Sequence, residues 1–168
     1  VRVAVPVIEA VVETKMQGQG NLLVLGIDMT GDRSLRDYDL ESGDDAVVDD
    51  PLVFLAQPDS LILSKEFADK NHITVGSRLP LGTAQGEKPF TVRGVMKSSG
   101  LTSAFGGNLA VMDIYAAQKM FGRGRTFDRV DLAVKPGRTI VECEKELQTL
   151  LGPGFQVEPP SGRGQQFE

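Results

Sequence analysis

Ser64, Lys65 and His72 are the side chains whose types could do nucleophilic chemistry, and they share the segment LILSKEFADKNHITVGSRLPL, residues 61–81. A serine nucleophile needs a base that accepts its proton at neutral pH, and His72 is the only histidine of the chain. No G-x-S-x-G elbow surrounds Ser64. Adjacent helical residues do not face each other, so Lys65 cannot act as the base for Ser64. A small serine hydrolase using Ser64 and His72 is therefore kept only as a remote alternative, and no catalytic residue is predicted.

Acidic side chains are concentrated in segment 41–50, and carboxylate oxygens are the ligands that Ca²⁺ prefers. The D-x-D/N-x-D/N-G pattern of a calcium loop is absent, so a solvated acidic loop is predicted and cation binding stays an open question. The acids are Glu41, Asp44, Asp45, Asp49 and Asp50.

Phosphate chemistry is not predicted from the glycines. The segments GQG, AFGG and GRGR lack the G-K-S/T that cradles a nucleotide, and turns account for their glycines. We therefore expect no cofactor and no metal in this domain.

The net charge and the absence of a polybasic segment exclude two further classes of partner, nucleic acids and anionic membranes. The net charge is −5 and the pI is near 5.0, which argues against a nucleic-acid surface, and no polybasic segment is present for an anionic membrane. The single cysteine, Cys143, cannot form an internal disulfide and is predicted to be a small buried apolar residue. No apolar run reaches the roughly 20 residues that cross a bilayer.

The alternation of apolar residues predicts two hairpins. The runs IEAVVETKM and NLLVLGIDM flank a Gly-rich turn, and RLPLGT and FTVRGVMKS flank a polar turn, with Gly94 a predicted bulge. Three helices are predicted with Ser64, Asp113 and Thr139 as N-caps. The last helix is predicted to bury one apolar stripe and to be followed by a strand, FQVEPP. The stripe is Ile140, Cys143, Leu147, Leu150 and Leu151.

The segment KSSGLTSAFGGN, residues 97–108, has apolar side chains in a loop rich in serine and glycine. Exposed apolar residues on a loop mark contact sites, but they can equally fold back and plug the end of a β unit. Both interpretations stay open. The predicted partner or substrate contacts are Ser99, Leu101, Thr102 and Phe105.

Taken together, the motifs resemble the extracytoplasmic core domain of FtsX-like ABC-transporter permeases, the MacB-like family. The resemblance is carried, in the family's order, by PVIEAVV, VLGID, DSLILSKEFADKNHITVGSRLPL, FTVRGVMKSSG, NLAVMDIYAAQKMFG and DRVDLAVKPG. It implies an α+β fold with two lobes. A βαβ-type, porter-like lobe would comprise residues 1–59 and 113–160, a mostly-β, sabre-like lobe would be inserted at 60–112, and 161–168 would lead towards a transmembrane helix.

The resemblance also implies a role. The domain would lie on the periplasmic face of the bacterial inner membrane, tethered by flanking transmembrane helices, and would couple their movement to the handling of a substrate or partner. ATP would be used by a separate cytoplasmic ATPase subunit or domain, and a periplasmic adaptor or carrier protein is an implied partner. The isolated domain would be a monomer and the full-length permease a dimer. A pure docking module for an adaptor or envelope enzyme is the alternative.

Overall fold

The fold was obtained as a computed structural model, which describes residues 1–15, 20–30, 48, 50–97 and 107–159. Its strands are β1 (Val3–Thr14), β2 (Asn21–Ile27), β3 (Ser60–Ser64), β4 (Arg78–Thr83), β5 (Gly86–Met96), β6 (Leu109–Asp113) and β7 (Arg129–Ala133). Its helices are α1 (Pro51–Ala56), α2 (Lys65–Lys70), α3 (Ile114–Met120) and α4 (Ile140–Leu151). The mixed α+β class is therefore confirmed.

Six of the strands form a ring of hydrogen-bonded neighbours. The order β2-β6-β3-β5-β4-β1 closes because β1 also pairs with β2, and β7 follows β1. The β1–β4 contact is short, with only Glu13 opposite Gly82 and Thr14 opposite Leu81. Both predicted hairpins, β1–β2 and β4–β5, are present as antiparallel pairs. The ring joins strands from the N-terminal part of the chain with strands of the middle segment.

The central strands are apolar on both faces, because both faces are covered. All five residues of β3 and all five of β6 are buried. Leu61 and Leu63 belong to the apolar cluster that includes α2 and α3, whereas Ile62 faces the cluster around Phe54 of α1. Such two-sided burial gives a continuous apolar run instead of a simple alternation.

The compact units of the structure have other bounds than the predicted lobes. The chain divides into one compact unit formed by residues 5–130 and another formed by 1–4 and 131–168. Residues 60–112, expected as an inserted lobe, supply β3 to β5 and most of β6, and these strands pair with β2 and β1 in the same sheet. Neither expected boundary, at residue 60 or at residue 112, is a boundary of these units, because strand pairing connects segments far apart in sequence.

Helix α4 begins as predicted, but its apolar stripe is mostly exposed. Thr139 forms a capping box: its hydroxyl accepts from the Glu142 N–H at 3.3 Å, and the Glu142 carboxylate accepts from the Thr139 N–H at 3.2 Å. Of the predicted stripe, Cys143 is buried, whereas Leu150 is 81% exposed. Residues 155–159 do not form the predicted strand. Helical spacing identifies an amphipathic helix but not what covers its apolar side.

Candidate functional site

The predicted contact loop leaves and re-enters the sheet beside one residue, Ser64. The four predicted contacts, Ser99, Leu101, Thr102 and Phe105, lie outside the described residues. The two ends of the loop are described. Met96 ends β5 directly opposite Ser64 of β3. On the other side, the Ser64 hydroxyl donates to the carbonyl oxygen of Gly107.

Ser64 does not cap its helix as the sequence suggested. It occupies the N-cap position of α2 with extended backbone, but its hydroxyl makes no hydrogen bond to the first helical turn. The side chain is completely buried, and its proton goes to a carbonyl 43 residues away. A serine hydroxyl has a single proton to donate, and here it is used to fasten a loop end.

Gly107 fits this place because any larger residue would be both strained and blocked. Its φ is +83°, a conformation that favours glycine, and an added Cβ would overlap the carboxylate of Glu66. The next residue, Asn108, accepts from the Leu23 N–H at 3.1 Å. The return of the loop is therefore fixed to both β3 and β2.

The remote hydrolase alternative requires Ser64 to give its proton to His72. His72 is exposed, lies beyond the far end of α2 and has a φ of 54°. Its N–H donates to the Asp69 carbonyl at 3.3 Å as the helix ends. The structure therefore does not bring these two side chains together, and the Ser64 hydroxyl is bound to the main chain instead.

Of the acids in segment 41–50, only Asp50 is described, and it caps a helix. Its carboxylate accepts from the N–H groups of Leu52 and Val53 at 3.0 and 3.1 Å. Glu41, Asp44, Asp45 and Asp49 lie outside the described residues. Within the described part of the chain, no group of three or more acidic, histidine or cysteine side chains could hold a metal ion.

Among the described acidic residues, Asp113 has the most deeply buried side chain. One carboxylate oxygen accepts from the Tyr115 N–H at 3.1 Å and so occupies the expected cap site of α3. The other accepts from the Met29 N–H at 3.3 Å and ties the end of β2 to β6. The helix then ends before Gly122, which has a φ of 63°.

A polar network at the start of β3 was not predicted from the sequence. The Asp59 carboxylate accepts from the Thr91 hydroxyl at 2.7 Å and from the Arg93 guanidinium at 2.9 Å. Arg93 is the extra residue of a β-bulge, since Leu61 pairs with Val92 and Ile62 with Gly94. The bulge therefore lies at Arg93, one residue before the predicted position Gly94, and turns Arg93 towards Asp59.

The network keeps Asp59 ionised. Partial burial raises the pKa of its carboxyl group, but the hydrogen bonds from Thr91 and Arg93, with the charge of Arg93, outweigh burial and lower the pKa. Gly94 is the sequence signal that could have indicated this network. A bulge next to this glycine interrupts the alternation of side chains along the strand and so redirects Arg93.

Comparison with known proteins gives the wider context of these features. Residues 1–150 match the family model described as the MacB-like periplasmic core domain. Among curated proteins, none matches the chain. Within the described residues, no helix is long and apolar enough to cross a membrane.

Solved structures share the fold at low sequence identity. The extracellular domain of the noncanonical ABC-type transporter YknZ from Gram-positive bacteria superposes with a TM-score of 0.59 and 17% identity, covering 94% of this chain and 79% of that one. The periplasmic region of MacB from Actinobacillus actinomycetemcomitans superposes with a TM-score of 0.52 and 12% identity, covering 90% of this chain and 66% of that one. A domain of a putative permease from Porphyromonas gingivalis superposes with a TM-score of 0.51 and 13% identity, covering 98% of this chain and 69% of that one.

Proposed function

Because the chain belongs to the MacB-like periplasmic core domain family and is thus an extracytoplasmic domain of an ABC-type transporter permease, we propose that it couples transmembrane movement to the handling of a substrate or partner outside the membrane. ATP is hydrolysed by a separate cytoplasmic subunit or domain, and this chain does not act as an enzyme. The family match over residues 1–150 is the observation that carries the proposal.

The ring of strands in residues 5–130 supports a role in carrying movement over a distance. Strand β1 crosses this unit from Val5 to Thr14, a rise on the order of 30 Å at strand geometry. Its C-terminal end lies next to the start of β2, where Asn108 and the returning contact loop are bound. A displacement applied at the start of β1 therefore reaches the loop through paired, buried strands instead of being absorbed by flexible chain.

The contact loop is the part of the domain that we propose to touch the substrate or partner. Both of its ends are attached to Ser64, so its position follows the end of β3. Leu101 and Phe105, with Ser99 and Thr102, supply the apolar and hydroxyl groups for that contact. Because both ends are fixed, the loop loses less conformational entropy when the residues between them bind a partner.

The test is made in the complete transporter with the double substitution Leu101→Asp, Phe105→Asp. We expect loss of substrate crosslinking and transport, while the protein remains folded and its cytoplasmic ATPase remains active. Tyr115→Asp is the control, because Tyr115 is a 66% exposed aromatic residue at the opposite end of the sheet. Normal transport by the double variant would refute the loop assignment.

The same variant distinguishes the alternative, a pure docking module for a periplasmic adaptor or an envelope enzyme. If the transporter keeps its partner in a pull-down but loses substrate crosslinking, substrate handling is supported. If the partner is lost and substrate crosslinking persists, the docking role is supported instead.

A further inference from the structure

A loop with an exposed aromatic ring and exposed cations connects α3 to β7. Phe127 is 52% exposed, and Arg125 and Lys119 are exposed around it. Within the described residues, neither Arg125 nor Lys119 makes an ion pair or a side-chain hydrogen bond. The sequence motif GRGR, residues 122–125, lies at the centre of this cationic aromatic loop, residues 121–128.

Two carboxylates beside the loop are already paired with arginines. Asp128 pairs with Arg123 at 2.8 Å, and Glu9 pairs with Arg129. Arg125 and Lys119 therefore add two positive charges at this loop and at the end of the helix before it, in a chain whose net charge is −5. The sequence shows no polybasic segment at this point, because the cations come from a helix end and a turn.

The loop is braced by its own hydrogen bonds. Gly122 and Gly124 adopt φ values of +63° and +62°. The Arg123 N–H donates to the Gln118 carbonyl at 2.9 Å, the Gln118 side chain donates to the Thr126 carbonyl at 3.0 Å, and the Thr126 N–H donates to the Arg123 carbonyl at 3.2 Å. The backbone that carries Phe127 is thus ordered before any partner arrives, which lowers the entropic cost of binding.

The loop is also attached to the first half of β1. The Asp128 N–H donates to the Val7 carbonyl at 2.9 Å, and the Asp128 carboxylate accepts from the Glu9 N–H at 2.7 Å. In the proposed permease the chain reaches β1 from a transmembrane helix. The loop therefore lies beside the half of β1 that comes first in the chain.

We propose that the cationic aromatic loop binds an anionic lipid surface, with Phe127 at the headgroup level and Arg125 and Lys119 against the lipid charges. The charge of the loop is complementary to anionic headgroups, whereas the chain as a whole is repelled by them. Each basic side chain near such a surface contributes about fivefold in affinity, and an aromatic ring suits the interface. The inference rests on the proposed function only for the nearness of a membrane.

The chain contains no tryptophan, so a single one reports on its own surroundings. The 168-residue chain with Phe127→Trp is titrated with vesicles made of phosphatidylglycerol and phosphatidylcholine in equal parts, at low salt. We expect a blue shift of the emission that salt reverses and that vesicles of phosphatidylcholine alone do not produce. Tyr115→Trp, at the other end of α3, is the matched reporter and is expected to show no shift.

A second substitution tests the charge. Adding Arg125→Glu to Phe127→Trp removes one positive charge and adds one negative charge, so we expect the vesicle affinity to fall more than about tenfold. Lys70→Glu makes the same change of net charge on α2 and is expected to lower the affinity less than about twofold.

Three outcomes would overturn the proposal: no shift for Phe127→Trp on anionic vesicles, an equal shift for Tyr115→Trp, or equal losses for the two glutamate variants. Loss of transport by Arg125→Glu without any vesicle binding would assign the loop to an acidic protein partner and would also overturn it. None of these outcomes affects the coupling role, which is tested separately by substrate crosslinking to the loop at residues 97–108.

Discussion

At the scale of single residues, the close packing of β2 against α3 depends on the absence of one side chain. A Cβ added to Gly26 would lie 2.5 Å from the Cβ of Ala117 and 3.3 Å from that of Ile8. We expect Gly26→Ala to lower the free energy of unfolding by about 1–3 kcal/mol, because the helix must move away from the sheet. Urea unfolding followed by circular dichroism measures this change.

Gly154→Ala is the matched control for that substitution. No atom lies within 4 Å of a Cβ added to Gly154, and its backbone is outside the left-handed region. Its free energy of unfolding is expected to stay within about 0.5 kcal/mol of the parent chain. A Gly26→Ala variant as stable as this control would mean that α3 does not approach the strand so closely.

At the scale of elements, the bulge of β5 makes the free energy of unfolding depend on pH. The pKa of Asp59 lies below its ordinary value of 3.8, so as the pH falls the unfolded chain takes up this proton before the folded chain does. The stabilisation is complete above the ordinary pKa and is lost as the pH falls through the folded pKa. We expect Asp59→Asn to be less stable at neutral pH and to lose less stability on acidification than the parent chain.

Urea midpoints measured from neutral pH down to about pH 3 test this linkage. Thr91→Val removes one of the two donors to Asp59 and should flatten the acid dependence in part. Asp69→Asn removes an exposed carboxylate that pairs with Lys65 and should retain the parent dependence. Parallel pH profiles for Asp59→Asn and the parent chain would contradict the role of the network.

At the scale of the whole molecule, the two compact units differ sharply in their share of the core. Among the described residues, the unit of residues 1–4 and 131–168 has one buried apolar side chain, Cys143, whereas all the others belong to residues 5–130. Regions with few buried apolar contacts open at lower cost than the rest of a protein. We expect Ellman's reagent to label Cys143, the only cysteine, at urea concentrations where the sheet is still intact.

The control for this labelling places the thiol in the other unit. Cys143→Ala combined with Ala68→Cys moves it to a position in α2 where the parent side chain is 1% exposed. Labelling of this variant should follow the loss of the circular dichroism signal. Labelling of both thiols at the same urea concentration would show that the two units unfold together.

The features predicted correctly from the sequence are those with local physical causes. Alternation located both hairpins, one with a glycine-rich turn and one with a polar turn, and the capping box located the start of α4. Each of these signals depends on residues only a few positions apart. Ser64 illustrates the limit, since its hydroxyl could bond either to the next helical turn or to Gly107. The predicted lobe bounds and the compact units differ for the same reason on a larger scale, because the ring pairs strands that are distant in sequence.

The attachment of Met96 and Gly107 to Ser64 has a consequence for how such a domain can diversify. A segment whose ends are both fixed can be lengthened cheaply, because each doubling of its length adds only about 0.6 kcal/mol of closure cost. Segments of other lengths and compositions could therefore replace residues 98–106 without disturbing the strands beneath them. One scaffold could in this way carry many different inserts between the same two attachment points.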